Sequence, residues 1–364
     1  MRDKLDEWRV IETLLPDGWL EKARDLGAFI RPREFESPRE LLRVLLSHAA
    51  HEGGTRSTAA RAKAGGIVEV SGEAVRKRLA SAGSWLGWIA TELSNERRDM
   101  PATGEFRLKA IDSTTIEGPT AKGTEHRLHY VIDLNSLQCD WHQLTDVHGG
   151  EHLERAPVAR GDVLIGDRNF LQPVGVSSVV ERGGHVLVRL RANHPRLEDE
   201  QGNEFVAVSK ATQLRVSDVG EWTVDLVSKG VRIRGRVVAL RLPAPLVARN
   251  ERRIRKKARR KQRKPGTTAL LAAQVFMVFT TLPATMPAQL VLDLYRFRWQ
   301  IEIAFKRLKQ ILGIGHLPHR VPDTARAWIL AKLVLALLLE KLRRNASAFS
   351  PWGYEVQRLA DRAE

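Results

Sequence analysis

Between Leu290 and Leu312, apolar residues recur every three or four positions: Leu290, Leu294, Phe297, Ile301, Phe305, Leu308 and Leu312. On a wheel at roughly 100° per residue they fill an arc from about 200° to 280°. Tyr295, Arg298, Glu302 and Lys309 fall at roughly 0°, 300°, 340° and 320°, a strip about 60° wide along the rim of that face. The pattern predicts one amphipathic helix carrying a tyrosine, two cations and a single glutamate beside its apolar side. An ordinary core helix with salt-bridging charges fits this strip. A metal ligand next to a phosphate site fits it too, and the helix alone leaves both open.

The first 100 residues also read as helical. Leu41, Leu42, Val44, Leu45 and Leu46 form one apolar patch, and Trp85, Leu86, Trp88, Ile89 and Leu93 form another. Between them the pattern predicts a short helix over Arg56–Lys63, a turn at Gly65-Gly66, and a second helix capped by Ser71 with Glu73 in its first turn. That second helix carries Arg76, Lys77 and Arg78. The arrangement suggests a helix-turn-helix reader of DNA, although any helical bundle contains such turns.

From about Glu105 the texture changes to strands: Arg107 to Asp112, Leu128 to Leu134, Leu137 to Leu144, and Val163 to Asp167. A helix-like stretch runs to Glu181, and Gly183-Gly184 breaks it before a strand at His185 to Leu190. Further strands are expected at Gln213–Val216, Glu221–Val227, Val231–Leu242 and Gln274–Leu282, with Lys229-Gly230 as a hairpin turn. An apolar helix is expected over 325–343. The order predicts an α/β fold with a mixed sheet and a β-rich insertion. The divisions are an N-terminal helical domain (1–100), a core first part (101–195), an insertion (196–281), a core second part (282–345) and a tail (346–364).

Charge changes this picture. The chain of 364 residues has 59 Lys+Arg against 43 Asp+Glu, a net +16 that suggests a polyanionic partner. Arg249 to Lys264 holds eleven basic residues and one acid, Glu251, hence +10 of that +16. It reads as a mobile basic loop, in which Arg252, Arg253, Arg255, Lys256 and Lys257 are candidate phosphate contacts. Cys139 is the only cysteine, which excludes an intrachain disulfide and a cysteine zinc cluster. The charged stretch Met1–Arg9 lacks a signal-peptide core, and Trp328–Leu339 is too short to span a bilayer and contains Lys332. A soluble protein of a reducing, cytoplasmic compartment, not associated with a membrane, is the expectation.

His148-Gly149-Gly150-Glu151-His152 matches the H-x-x-E-H pattern of a zinc peptidase class, but adjacent glycines argue against the helix that chemistry needs. A polar loop is expected there, with Glu151 near the active face. His316 and His319 flank Pro318 as surface or packing residues. No Walker-type phosphate loop is present. The strand acids carry more weight. Asp112 is followed by Ser113-Thr114-Thr115, and Asp167 by Arg168-Asn169-Phe170; Asp133 and Asp162 are read as decoys. An aspartate at a strand end often merely caps the adjoining turn. Two strand acids and one helix acid also suit two hard divalent cations, which activate an attacking oxygen and stabilise a leaving one.

At this point the sequence resembles insertion-sequence transposases of the IS-four group. Tyr295-x2-Arg298-x3-Glu302-x6-Lys309 matches their Tyr-Arg-Glu-Lys signature without a gap. Ala110 to Thr115 and Ile165 to Phe170 resemble their two aspartate blocks, and Ser71 to Leu86 is similar to their N-terminal linker segment. The resemblance implies an RNase H-like core with a β-rich insertion ahead of the glutamate helix. It implies Asp112, Asp167 and Glu302 as catalytic metal ligands for Mg²⁺, with Mn²⁺ able to substitute. Tyr295, Arg298 and Lys309 would grip the phosphates of the transposon end, with Arg168 beside them. Trp222 is a candidate platform for a flipped base, or else a hairpin core residue, and Trp299 is expected to pack. Implied partners are inverted-repeat end DNA, target DNA and a second copy in a synaptic dimer. A nuclease or domesticated recombinase on the same fold, and a non-catalytic DNA-binding regulator, remain the alternatives.

Overall fold

The computed structural model describes residues 7–51, 53–96, 105–119, 124–193, 195–228 and 230–347. Met1–Asp6, Lys229 of the expected turn, and all but the first two residues of the expected tail lie outside the described residues. The chain divides into two compact units, one of residues 1–100, 115–127 and 305–364, the other of residues 101–114 and 128–304.

The first unit is helical: α1 (Glu7–Glu12), α2 (Trp19–Asp25), α3 (Pro38–Ala50), α4 (Thr55–Ala64), α5 (Gly72–Ser81) and α6 (Gly83–Asn95), with a long helix at Pro322–Ser347. Ser37 caps α3 by accepting from the Glu40 N–H, and Pro38 occupies its first turn, where no backbone donor is needed. The α3 face Leu41, Leu42, Val44 and Leu45 is fully buried. The Trp85 indole donates to the Trp19 carbonyl at 2.8 Å. The expected helix-turn-helix elements form. Gly66 turns the chain at φ 65°, and Ser71 caps α5 through the Ala74 N–H. The long helix packs against α3, α5 and α6, and no helix among the described residues is long and apolar enough to cross a membrane.

The second unit is organised by one mixed sheet. Its strands are β1 (Arg107–Glu117), β2 (Thr124–Asp133), β3 (Gln138–Asp146), β4 (Asp162–Gly166), β5 (His185–Arg189), β6 (Leu197–Glu198), β7 (Val219–Ser228), β8 (Val231–Arg241) and β9 (Val275–Thr280). Their spatial order is β3-β2-β1-β4-β5-β9-β8-β7-β6. β1, β4 and β5 run parallel, whereas β5, β9, β8, β7 and β6 alternate direction. From Val163 to Ile165 β4 is apolar because both its faces are covered: Leu164 enters one core cluster, Val163 and Ile165 the other. The helices of this unit are α7 (Pro173–Glu181), α8 (Ala207–Thr212), α9 (Ala244–Arg260), α10 (Thr267–Ala272) and α11 (Ala288–Arg296), followed by α12 (Trp299–Lys306). The long C-terminal helix is α13. The β-rich segment continues the core sheet through the β9–β8 pairing and belongs to the same compact unit.

Four expectations are corrected. The run Arg249–Lys264 is largely helix α9, because Arg, Lys and Ala are good helix formers and the Pro243–Pro245 stretch starts the helix well. Gln213–Val216 forms no strand: α8 ends at Thr212, and Ser217 turns the chain at φ 71°. Asp112 lies within β1, which the β-branched Thr114, Thr115 and Ile116 carry on to Glu117. The predicted single helix over 290–312 is broken. After α11 the Arg298 N–H bonds the Tyr295 carbonyl and the Ile301 N–H bonds the Arg298 carbonyl, both three residues back, and Arg307–Ile311 forms a π-helical turn. Within α11 itself the buried face is Val291, Leu292 and Tyr295, so Leu290 is exposed, and Phe297 at the break is exposed too.

Candidate active site

Parallel pairing brings the two strand aspartates together. Ala110 on β1 is in register with Ile165 on β4, so two residues further on Asp112 stands opposite Asp167 in the same pleat phase. Each aspartate is held by the backbone just after it. The Ser113 N–H donates to Asp112 Oδ1 at 2.8 Å, and the Asn169 N–H donates to Asp167 Oδ1 at 2.6 Å.

The helical break supplies the third carboxylate. Arg298 Nη1 donates to Asp112 Oδ2 at 3.3 Å, and Nη2 donates to Glu302, one turn along α12. Burial pushes the Asp112 carboxyl up to about 6; the Ser113 N–H and Arg298 oppose this, while the charges of Asp167 and Glu151 add to it. Burial alone would lower the Arg298 guanidinium, but Tyr295, Glu302 and Asp112 outweigh it and raise its pKa. Tyr295 is 6% exposed and packs edge-on against Phe276 at 5.4 Å. Burial pushes its phenol up to about 12, so it meets a ligand as a neutral hydroxyl.

Among the described residues no three His, Cys, Asp or Glu side chains stand close enough to cage an ion by themselves. The donor chemistry nevertheless suits a hard divalent cation. Such ions take few carboxylates and complete their shell with waters and substrate phosphates. Asp112 is raised mainly by burial and only secondarily by the charges of Asp167 and Glu151, and a bound cation would offset all three.

Sequence reasoning missed Arg189 here. Arg189 follows Val188, the register partner of Gly166, and so lies beside Asp167. Its guanidinium stacks on Phe276 at 4.9 Å, and its pKa is lowered by burial first and then by Arg168 and Arg298. Aligning the ends of β4 and β5 would have found it. Glu151, in the expected loop, accepts from Ser113 Oγ and from Asn169 Nδ2, both at 2.7 Å. It borders a pocket of about 460 Å³ that Arg168, Asn169, Gln172 and Arg191 also line.

The remaining candidates lie elsewhere. Lys309 sits exposed on the π-helical turn, in the helical unit. Arg76 and Lys77 share Glu73, and Arg78 is 4.0 Å from Glu34. Arg252, Arg253, Lys256 and Lys257 are exposed along α9, where Arg255 pairs with Glu251 at 3.4 Å. Trp222 packs on Phe205 with ring centroids 5.9 Å apart. Trp299 does not pack as expected: it is 54% exposed. Asp162 is a structural residue, bonded to Arg107 and Lys109 at 2.8 Å each.

The mixed sheet, with β1, β4 and β5 parallel at its centre, has an RNase H-like fold. The chain belongs to the transposase DDE domain family, whose model matches residues 104–339. It is 31% identical over 356 residues to the putative transposase InsL for insertion sequence element IS186A of Escherichia coli (strain K12), covering 95% of this chain and 96% of that protein. It is equally 31% identical over 359 residues to the transposase for insertion sequence element IS421 of Escherichia coli, with the same coverage. Among solved structures, the piggyBac transposase in its synaptic complex with hairpin DNA matches with a TM-score of 0.52, over 98% of this chain and 78% of that one. At 9% identity that likeness is one of fold. Members of the DDE family generally use divalent metal ions.

Proposed function

We propose that this DDE transposase works by cut and paste through Asp112, Asp167 and Glu302, as a member of the IS-four group with its Tyr-Arg-Glu-Lys signature. The observation that carries the assignment is the Arg298 fork, which ties Asp112 on β1 to Glu302 on α12 beside the register partner Asp167. Those three carboxylates would hold Mg²⁺, or Mn²⁺ in its place. When bound, such ions activate the attacking oxygen and neutralise the leaving one.

The residues of the chain divide the remaining work. Arg298 and Arg189 supply cations for the non-reacting phosphate oxygens, and the neutral Tyr295 hydroxyl donates a hydrogen bond to the same group. Arg168 stands exposed at the mouth of the site. Attack of water on the end phosphodiester breaks the P–O bond and frees a 3′-hydroxyl. That hydroxyl then attacks a target phosphodiester in line, at the same carboxylates; its oxygen bonds the phosphorus as the target's own P–O3′ bond breaks, and the target strand leaves with a free 3′-hydroxyl. Lys309, the α9 cations and Arg76, Lys77 and Arg78 extend contact along the inverted-repeat and target DNA, and Trp222 is a candidate base-stacking surface. Two copies, each holding one end, complete the synaptic complex in a bacterial cell.

Replacing any one of Asp112, Asp167 and Glu302 by Ala abolishes end cleavage and leaves end binding in place. Gel-shift and cleavage assays on one labelled end read both. Cleavage by Glu302→Ala at the wild-type rate overturns the assignment. A product that is cut but never joined to target would make the enzyme a nuclease.

A further inference from the structure

The two aspartate segments share a third carboxylate that the triad does not use. Ser113 and Asn169 play matching parts: the backbone N–H of each donates to the neighbouring catalytic aspartate, and the side chain of each donates to Glu151. One carboxylate thus spans the residue after Asp112 on β1 and the turn after Asp167. The loop that presents Glu151 is itself fixed. The Gln172 amide donates to the Glu151 carbonyl at 3.0 Å and to the Asn169 carbonyl at 3.1 Å, and His152 Nδ1 bonds Gln172 Oε1 at 2.6 Å. Arg191 donates to Asn169 Oδ1, which turns the amide nitrogen toward Glu151. The tight path of the loop needs its glycines, because a Cβ at Gly149 would collide with the Thr145 side chain.

We infer that Glu151 is a positioning residue: its bonds to Ser113 and Asn169 set the separation and orientation of Asp112 and Asp167, and so the affinity of that pair for a divalent cation. A carboxylate suits this role because it only accepts, and it offers one oxygen to each donor. Residues that orient metal-binding carboxylates from outside typically change affinity by roughly 10- to 100-fold when removed. The inference rests on the proposed triad.

The test is Mn²⁺ binding to the full-length protein without DNA, followed by electron paramagnetic resonance. Glu151→Ala is expected to weaken binding by about tenfold or more. Glu151→Gln is expected to stay within about threefold of wild type: its amide oxygen accepts from Asn169 and its NH₂ donates to Ser113 Oγ, whose hydroxyl rotates to suit. Adding Ser113→Ala to Glu151→Ala should cost less than Ser113→Ala costs alone, since the shared bond is already gone. DNA end binding measured without metal is expected to be unchanged in every variant. Thermal unfolding screens for a misfolded Ala variant, in which case Ser113→Ala alone, weaker than wild type for Mn²⁺, carries the test. Glu151→Gln as weak as Glu151→Ala overturns the inference, because the charge and not the bridge would then matter. Wild-type Mn²⁺ binding by folded Glu151→Ala overturns it too. Asp112→Ala is the control for the triad: Mn²⁺ binding as tight as wild type there defeats the triad assignment, independently of Glu151.

Discussion

Arg298 Nη1 lies 3.3 Å from Asp112 Oδ2, joining residues 186 positions apart in the chain. With its second arm on Glu302, the guanidinium occupies two of the three carboxylates where a cation is expected to sit. It is therefore both a competitor of the metal and a grip for phosphate. Arg298→Ala is expected to bind Mn²⁺ more tightly in the absence of DNA, by up to roughly fivefold for loss of a partly exposed ion pair. The same variant should bind transposon ends more weakly and lose strand transfer. Titrations with and without DNA separate the two effects, and weaker Mn²⁺ binding by the free variant would reject the competition.

Lys109 is 1% exposed and reaches Asp140 and Asp162 at 2.8 Å each, while Arg107 holds the other oxygen of Asp162. Burial would raise the Asp162 carboxyl; Arg107, the Ala159 N–H and Lys109 outweigh it and hold it below its usual range. Its folded pKa is depressed, so its contribution is present above about pH 4 and is lost as pH falls through the folded value. Lys109→Met strips a cation from two buried carboxylates and should cost about 3–5 kcal/mol. Urea unfolding at neutral pH reads this as a lower midpoint with unchanged slope; a midpoint equal to wild type rejects it.

Asp112, Asp167 and Glu302 stood out as candidates because a strand acid followed by polar residues, and an acid on an amphipathic stripe, leave local marks; the family resemblance singled them out as a triad. The strands around them were legible as apolar runs between turn residues. The break at Phe297–Arg298 was not. Periodicity measures spacing along an ideal helix, and the three-residue backbone bonds at Arg298 and Ile301 change that spacing without changing composition. Arg189 joins the site through strand register, a long-range property; Glu151 was expected near this face, but its bonds to Ser113 and Asn169 depend on the path of the loop. The basic run reads as a loop because charge density suggests solvation, whereas Arg, Lys and Ala also favour helix.

His48 is buried, with Nδ1 2.8 Å from Thr58 Oγ1 and Nε2 3.0 Å from His319 Nε2. Its pKa falls to about 4, by burial first and then through His319, Arg61 and Lys332. His319 is lowered too, by burial and by Arg76. A histidine whose folded pKa lies below its unfolded value of about 6.5 takes up protons on unfolding. Stability should then be full above about pH 6.5 and fall toward pH 4, by up to about 3 kcal/mol for this one group. His48→Gln should flatten that slope in urea unfolding between pH 4.5 and 6.5, taken as about the limits of the titration. An equal slope in both proteins rejects the assignment.

The α9 helix sets Arg252 against Lys256 and Arg253 against Lys257, each four residues apart, and all four side chains are exposed. Like charges at that spacing destabilise a helix by roughly 0.2–0.5 kcal/mol per pair, a cost that bound phosphates would remove. Replacing these four cations by Gln keeps helix propensity and relieves the repulsion, so the variant should be at least as stable as wild type. Each phosphate contact contributes about 0.9 to the slope of log affinity against log salt concentration. If all four contact duplex DNA, the variant's slope should be shallower by roughly 3 to 4. Fluorescence anisotropy on random-sequence duplex over a salt series measures this. A wild-type slope in a stably folded variant would mean that α9 is a solvated surface and that the DNA lies elsewhere.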